Sequence, residues 1–125
     1  MNVLTTVYEV ASAALDPAPV RVNSLTNRQQ SALDAGGIAA VAYDIGAEGL
    51  NTKDGFAGAI SYVAVRIYAP PKSAQIGPAL RATLAALAAD TRFNLVEVIA
   101  PRPDDDTDYY FCEIQVSAFD GLYAQ

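Results

Sequence analysis

Two stretches of strict alternation constrain the fold of this chain most. In residues 109–119 one side of the expected strand is apolar or aromatic: Tyr110, Cys112, Ile114, Val116 and Ala118. Residues 60–69 direct a similar set of small and apolar side chains to one side: Ser61, Val63, Val65 and Ile67. A period of two is that of a strand with one buried face. We therefore expect a sheet that is covered by helices on one side.

Two shorter segments predict further strands, and two predict helices. Residues 38–45 (IAAVAYDI) and Leu95–Ile99 are rich in strand-forming residues. Apolar residues recur at helical spacing over residues 1–15, from Val3 to Leu15. A second helix is expected from about 73–78 to Asp90, with apolar positions Leu80, Leu84, Leu87 and Ala88.

Together these segments predict a single α+β domain over residues 1–125. The expected architecture is a four-stranded antiparallel sheet, made of two hairpins, with two helices packed on one face in the order αββαββ. Residues 23–37 are polar and without pattern, so we expect a long loop there. Residues 46–58 contain four glycines and a Lys-Asp-Gly turn, which predicts the tip of an extended hairpin.

Charge and residue usage narrow the function classes. The net charge is −6, which disfavours binding to nucleic acid phosphates. The chain has no histidine, the commonest general base and metal ligand, and its one cysteine, Cys112, is expected to be a packed thiol. No segment has the length or flanks of a membrane span or signal peptide. We expect a soluble protein that is not an enzyme and needs no cofactor or metal.

The acidic run PDDDTD is the one segment that suggests a cation site. Its aspartates are Asp104, Asp105, Asp106 and Asp108. A calcium loop of the EF-hand type would need glycine and glutamate where this chain has Tyr109 and Gln115. A solvated hairpin tip is therefore the favoured interpretation, with a cation site as the alternative.

The polar side of residues 60–69 is the candidate protein interface. It carries Tyr62, Arg66 and Tyr68, and tyrosine and arginine are enriched at the centres of interfaces. An ordinary outer sheet face remains the alternative. The expected hairpin tip adds further candidate contact residues: Glu48, Leu50, Lys53, Asp54 and Phe56.

Several strings in the chain resemble the tail-terminator, or tail-completion, proteins of long-tailed bacteriophages. The resemblance spans about residues 38–123 and lies in VAYDIG, GAISYVAVRIYAP, the leucine-bearing helix that follows, and FCEIQVSAFDGLY. These are strand and helix patterns and not catalytic signatures.

The resemblance implies a structural virion protein, assembled in the host cytoplasm. Such a protein forms a hexameric ring on the last ring of the tail tube, stops tube polymerisation and offers a surface to the head–tail connector in the neck. DNA would pass through the ring without specific binding, and Asp104–Asp108 are candidates for an acidic channel lining. Two alternatives stay open: a small ligand-binding or enzymatic domain with residues 46–59 as a lid, and another neck or baseplate subunit.

Overall fold

The structure is a computed structural model that describes residues 2–52 and 55–121, with side chains for all of these except 50–52, 55–57, 120 and 121. The elements in chain order are α1 (Val3–Leu15), β1 (Val20–Val22), α2 (Asn27–Asp34), β2 (Ala39–Thr52), β3 (Gly55–Ala69), α3 (Ile76–Ala89), β4 (Asn94–Pro103) and β5 (Tyr110–Gly121). The α+β class predicted from the sequence is confirmed.

The strands form one mixed sheet in the order β1-β2-β3-β5-β4. The two predicted hairpins are present, because β2 pairs antiparallel with β3 and β4 pairs antiparallel with β5. The prediction of a purely antiparallel, four-stranded sheet is wrong, since β1 adds a fifth strand that runs parallel to β2. With only three residues between Pro19 and the polar segment that follows, β1 is too short to show a periodic pattern.

The hydrophobic core lies between the sheet and a layer formed by α1 and α3, which confirms the prediction that these two helices cover one face. From β3 and β5 the core takes the predicted apolar sets, all at most 1% exposed: Val63, Val65, Ile67, Cys112, Ile114 and Val116. The helix α1 begins at a cap in which Asn2 Oδ1 accepts a hydrogen bond from the Thr5 N–H at 3.1 Å.

The buried stripe of α3 is rotated slightly from the one predicted. Its buried residues are Ile76, Ala79, Thr83 and Leu87. Leu80 and Leu84 pack against the margin of the core, and Ala88 is exposed. Thr83 occupies a fully buried position because its hydroxyl donates to the Ala79 carbonyl at 2.9 Å within the helix.

The prediction of a loop throughout residues 23–37 is wrong, because the helix α2 lies within it. The N–H of Thr26 donates to Gln29 Oε1 at 2.8 Å, and the fully buried Gln29 donates through Nε2 to the Ala40 carbonyl at 2.7 Å. Gly36 follows the helix with φ of +89°, a conformation that favours glycine. Leu33 is the only large apolar side chain that α2 buries, so the segment carries no periodic stripe.

Residues 46–58 are mostly strand, so the predicted hairpin tip is shorter than expected. The β2–β3 ladder runs from Gly46 opposite Tyr62 to Thr52 opposite Gly55, and the turn at 53–54 lies outside the described residues. The register shifts between Asp44 and Gly46, which leaves Ile45 without a partner and places it at a bulge beside Gly46. Backbone pairing extends the hairpin although residues 44–49 of β2 are all exposed, so these residues show no alternation of buried and exposed side chains that the sequence pattern could reveal.

Candidate assembly interface

The face of the sheet opposite α1 and α3, here called the outer face, carries a polar network centred on Glu113. Arg66 Nε donates to Glu113 Oε1 at 2.9 Å, and Gln115 Nε2 donates to Glu113 Oε2 at 2.7 Å. The hydroxyl of Tyr43 also donates to Oε1. The network holds together because β5 lies beside β3, where Arg66 is directly opposite Glu113, and Tyr43 comes from β2 beyond.

The carboxylate of Glu113 remains ionised although its side chain is only 2% exposed. Burial by itself raises the pKa of Glu113, but the hydrogen bonds from Tyr43, Gln115 and Arg66 outweigh it and hold the pKa below its usual range. Burial of the phenol, together with its hydrogen bond to Glu113, raises the pKa of Tyr43 to about 12. The network is therefore a charge-balanced unit that has no group poised to exchange a proton near neutral pH.

Arg66, one of the predicted interface residues, makes several contacts with side chains of its own sheet. Its guanidinium carbon lies 4.3 Å from the ring centroid of Phe111 and 5.7 Å from that of Tyr43. The side chain is 28% exposed. Arg66 lines a shallow cavity of about 280 Å³ together with the following residues of the outer face and the 23–25 segment: Asn23, Ser24, Leu25, Val41, Tyr43 and Tyr68.

The structure separates the other predicted interface residues into two groups. Tyr68 lies with Arg66 in the cavity, whereas Tyr62 lies further along β3 and its hydroxyl donates to Glu48 Oε2 at 3.2 Å. The side chains of Leu50 and Phe56, and all of Lys53 and Asp54, lie outside the part that the structure describes. On β3 itself, Tyr62, Arg66 and Tyr68 occupy alternate positions of an unbroken register with β5, so they share the outer face, although Tyr62 and Arg66 contact different partners there.

The acidic segment between β4 and β5 forms a turn that is organised by its first aspartate. Asp104 Oδ2 accepts from the Thr107 hydroxyl at 2.9 Å, and Asp104 Oδ1 accepts from the Asp106 N–H at 3.2 Å. Asp105, Asp106 and Asp108 are exposed. Over residues 2–52 and 55–121, no group of three or more histidine, cysteine, aspartate or glutamate residues is arranged to hold a metal ion. The solvated turn is the interpretation that the geometry supports.

The most unusual surface of the molecule is the edge strand β4, which the sequence did not single out. Leu95 is 51% exposed, Val96 is 49% exposed and Val98 is 38% exposed. Leu95 lies opposite Val116 and Val98 opposite Ile114, and the register shift between Leu95 and Glu97 places Val96 at a bulge. The sequence signal that could have indicated this exposure is the adjacent pair Leu95-Val96, because two neighbouring apolar residues in a strand point to opposite faces and cannot both face one core.

No family model matches this chain, and a search of the curated proteins finds no significant relative. Among the described helices, none combines the length and the apolar character needed to cross a membrane.

Proposed function

We propose that this protein is a structural subunit of a phage tail, which closes into a ring of six copies on the end of the tail tube. The ring stops tube polymerisation and joins the tail to the head through the connector, in the virion neck. The role of terminator rests on the resemblance of the strand and helix strings. The capacity to assemble rests on the exposed β4 edge.

The exposed β4 edge is the observation that carries the proposal. An edge strand presents backbone N–H and C=O groups that can pair with another strand, and proteins that stay monomeric commonly protect such edges with charges or prolines. In β4 the four residues 95–98 include three exposed apolar side chains, Leu95, Val96 and Val98, and a single charge, Glu97. Exposed apolar side chains grouped along one edge are typical of an interface with another protein chain.

The charge distribution supports a channel-forming role. The chain carries −6, and three of its acidic residues, Asp105, Asp106 and Asp108, are exposed in one turn and have no ion-pair partner among the described residues. Six such subunits around an opening repel the DNA backbone, so DNA passes without binding. In this proposal the tube and connector contacts fall to the protruding β2–β3 hairpin, with Glu48 and Tyr62 at its described base.

Assembly is tested first by mass. Native mass spectrometry and electron microscopy of the purified protein, over a range of concentrations, should show closed rings of six subunits. Val96→Lys should abolish the rings by placing a charge on the edge, while circular dichroism shows an unchanged fold. Ala13→Lys is the matched control, because Ala13 is exposed on α1, away from β4. A protein that stays monomeric at every concentration would contradict the proposal and favour a ligand-binding domain.

The specific role in the tail needs a genetic test. The gene is deleted from the phage that encodes it, and wild-type protein or a variant is supplied in trans. We expect tails of uncontrolled length, or tails without heads, when the gene is absent or supplied as Val96→Lys, and normal virions with Ala13→Lys. Normal tails in the absence of the protein would contradict the role of terminator while leaving self-assembly intact.

A further inference from the structure

At each edge of the sheet, one end of the strand is covered or blocked by proline, and the other end has backbone groups that are free to pair. On the β2 edge, β1 pairs only with Ala40–Ala42, so β2 from residue 43 onward has no described partner on that side. On the opposite edge, Pro101 and Pro103 interrupt β4, because proline has no N–H to donate. The segment Asn94–Ile99 before them carries no proline.

The open segments lie at the same level across the sheet. The ladders connect Val98 through Ile114 and Val65 to Ala42, so Val98 is level with the end of β1 coverage on β2. Asn94 is level with Gly46 through Ser117 and Tyr62. The unpaired segment of β4 therefore lies at about the level where β1 stops pairing with β2. The two unpaired edges are on opposite sides of the sheet, near the same end of the strands.

Strand direction makes these two edges complementary. Proceeding across the sheet from β2, each neighbour is antiparallel to the last, so β4 runs antiparallel to β2. A second copy placed beside the first, with its strands pointing the same way, brings its β2 against β4 in antiparallel orientation. That is the arrangement in which ladder hydrogen bonds are perpendicular to the strands.

We propose that Asn94–Ile99 of β4 pairs antiparallel with the open part of β2, from Tyr43 to Gly49, in the next copy of this chain. The contact is head-to-tail and repeats around the ring, so that the sheets of successive subunits become continuous. This inference rests on the proposed function, and it names the surface that each subunit offers to its neighbour. Ile45, which is 47% exposed on β2, and Val96 are the apolar side chains that the contact covers.

The competing contact joins two β4 edges around a twofold axis. A register that overlaps residues 94–100 places Glu97 opposite the same glutamate of the second copy, and like charges directly opposite each other are destabilising, whereas overlap of 94–99 alone places Glu97 opposite Val96. On β2 the outer face includes Gly46, so a register exists in which Glu97 meets a glycine. A β4–β4 pair also leaves the β2 edge unpaired and does not by itself propagate into a ring.

The backbone of β2 identifies which residue to change. Ala40 N–H donates to the Pro19 carbonyl, and the Ala42 carbonyl accepts from Asn23 N–H, so these even-numbered residues direct their backbone groups away from β3. Because the register shifts by one residue between Asp44 and Gly46, it is the odd-numbered residues beyond the shift whose backbone groups point away from β3. The Ala47 N–H is therefore directed to the edge of β2 that has no described partner. Ala47→Pro removes that donor and leaves the β2–β3 ladder its hydrogen bonds, whereas Ala47→Ser keeps the donor.

Cross-linking distinguishes the two contacts. Ala47→Cys protein and a mass-tagged Val96→Cys protein are mixed, allowed to assemble and treated with a short bis-maleimide. Both positions are exposed, whereas Cys112 is buried and burial raises the pKa of its thiol to about 12, so it does not react. The mixed Ala47→Cys–Val96→Cys product should dominate, and Val96→Cys alone should give no cross-linked dimer.

The outcomes separate this inference from the proposed function. Rings that form without the mixed cross-link, or a dominant Val96→Cys self-product, overturn the pairing of β4 with β2 while self-assembly stands. The absence of any oligomer in native mass spectrometry overturns both. Loss of rings in Ala47→Pro, with rings retained in Ala47→Ser, is the second supporting result. If Ala47→Pro does not fold, the cross-link alone decides.

Discussion

The strands β4 and β5 belong to one hairpin and contain similar aliphatic residues, yet their surroundings are opposite. In β5, Ile114 is fully buried and Val116 is 1% exposed, whereas their neighbours in β4, Val98 and Leu95, face solvent with 38% and 51% of their surface. Because β5 lies between β3 and β4 under the helices, and β4 lies at the sheet margin, position in the sheet decides burial where hydrophobicity does not. Aliphatic residues therefore stabilise the fold in β5, whereas in β4 they remain exposed and form part of the contact that we propose.

The largest expected effect that tests this comparison comes from a charge in β5. Val116→Asp buries an ionised carboxylate without a partner in the core, where β5 packs against α3, which costs several kcal/mol against a total stability of about 5–15 kcal/mol. The subunit should fail to fold in circular dichroism and thermal melting. Val96→Asp, the matched change in β4, should fold normally. A cooperatively melting Val116→Asp protein would show that β5 is less buried than the structure has it.

Removing a glutamate should likewise destabilise the protein more in β5 than in β4. Glu113→Ala removes the acceptor shared by Arg66 and Tyr43 and leaves a largely buried arginine unpaired, so we expect a loss of about 3 kcal/mol in unfolding free energy. Glu97→Ala, at an exposed position of β4, should change it by less than about 0.5 kcal/mol. Urea denaturation measures both, and equal losses would contradict the distinction between the strands.

Acid stability should depend on the hydrogen bonds to Glu113. Because the pKa of Glu113 is lower in the folded protein than in the unfolded chain, its contribution to stability is full above about pH 4.3 and is lost as pH falls through the folded pKa. Tyr43→Phe removes one donor, so the pKa of Glu113 rises and acid unfolding begins at a higher pH. At neutral pH the variant should lose about 1 kcal/mol.

The control for the acid experiment is Tyr62→Phe. It removes a hydroxyl that donates to Glu48, which is exposed, and should leave the acid unfolding midpoint unchanged. Circular dichroism at 222 nm, followed from neutral to acidic pH in all three proteins, gives the midpoints. Identical midpoints for Tyr43→Phe and the wild type would indicate that the phenol does not support the charge of Glu113.

The smallest expected effects come from side-chain truncation, measured in the Val96→Lys background so that assembly does not contribute. Ile114→Val removes one methylene from the core and should cost about 1 kcal/mol. Leu95→Ala removes more atoms from β4, yet it should cost no more than about 0.5 kcal/mol because half of that side chain is exposed. Calorimetric melting compares the two, and a larger loss for Leu95→Ala would contradict the assignment of β4 to association.

Several elements of this protein could be predicted because local pattern and tertiary burial agree. The helices α1 and α3 and the strands β3 and β5 each bury one face in the core. Their apolar residues therefore recur with the helical or strand period. Arg66 and Tyr68 were found on the outer face for the same reason. The pairing of Arg66 with Glu113 was not predicted, because it depends on the register between two strands and the two residues lie 47 positions apart in the sequence.

The sequence by itself determined the α+β class, the two hairpins and the buried sides of β3 and β5, since these follow from alternation within each segment. Only the tertiary structure decided where α2 and β1 form and where β4 lies. The helix α2 depends on a capping contact at Thr26 and on the hydrogen bond from buried Gln29 to Ala40, and β1 depends on a ladder to β2. The exposure of Leu95, Val96 and Val98 follows from strand order, which residue patterns within a strand do not encode, because a central and an edge strand satisfy the same local preferences.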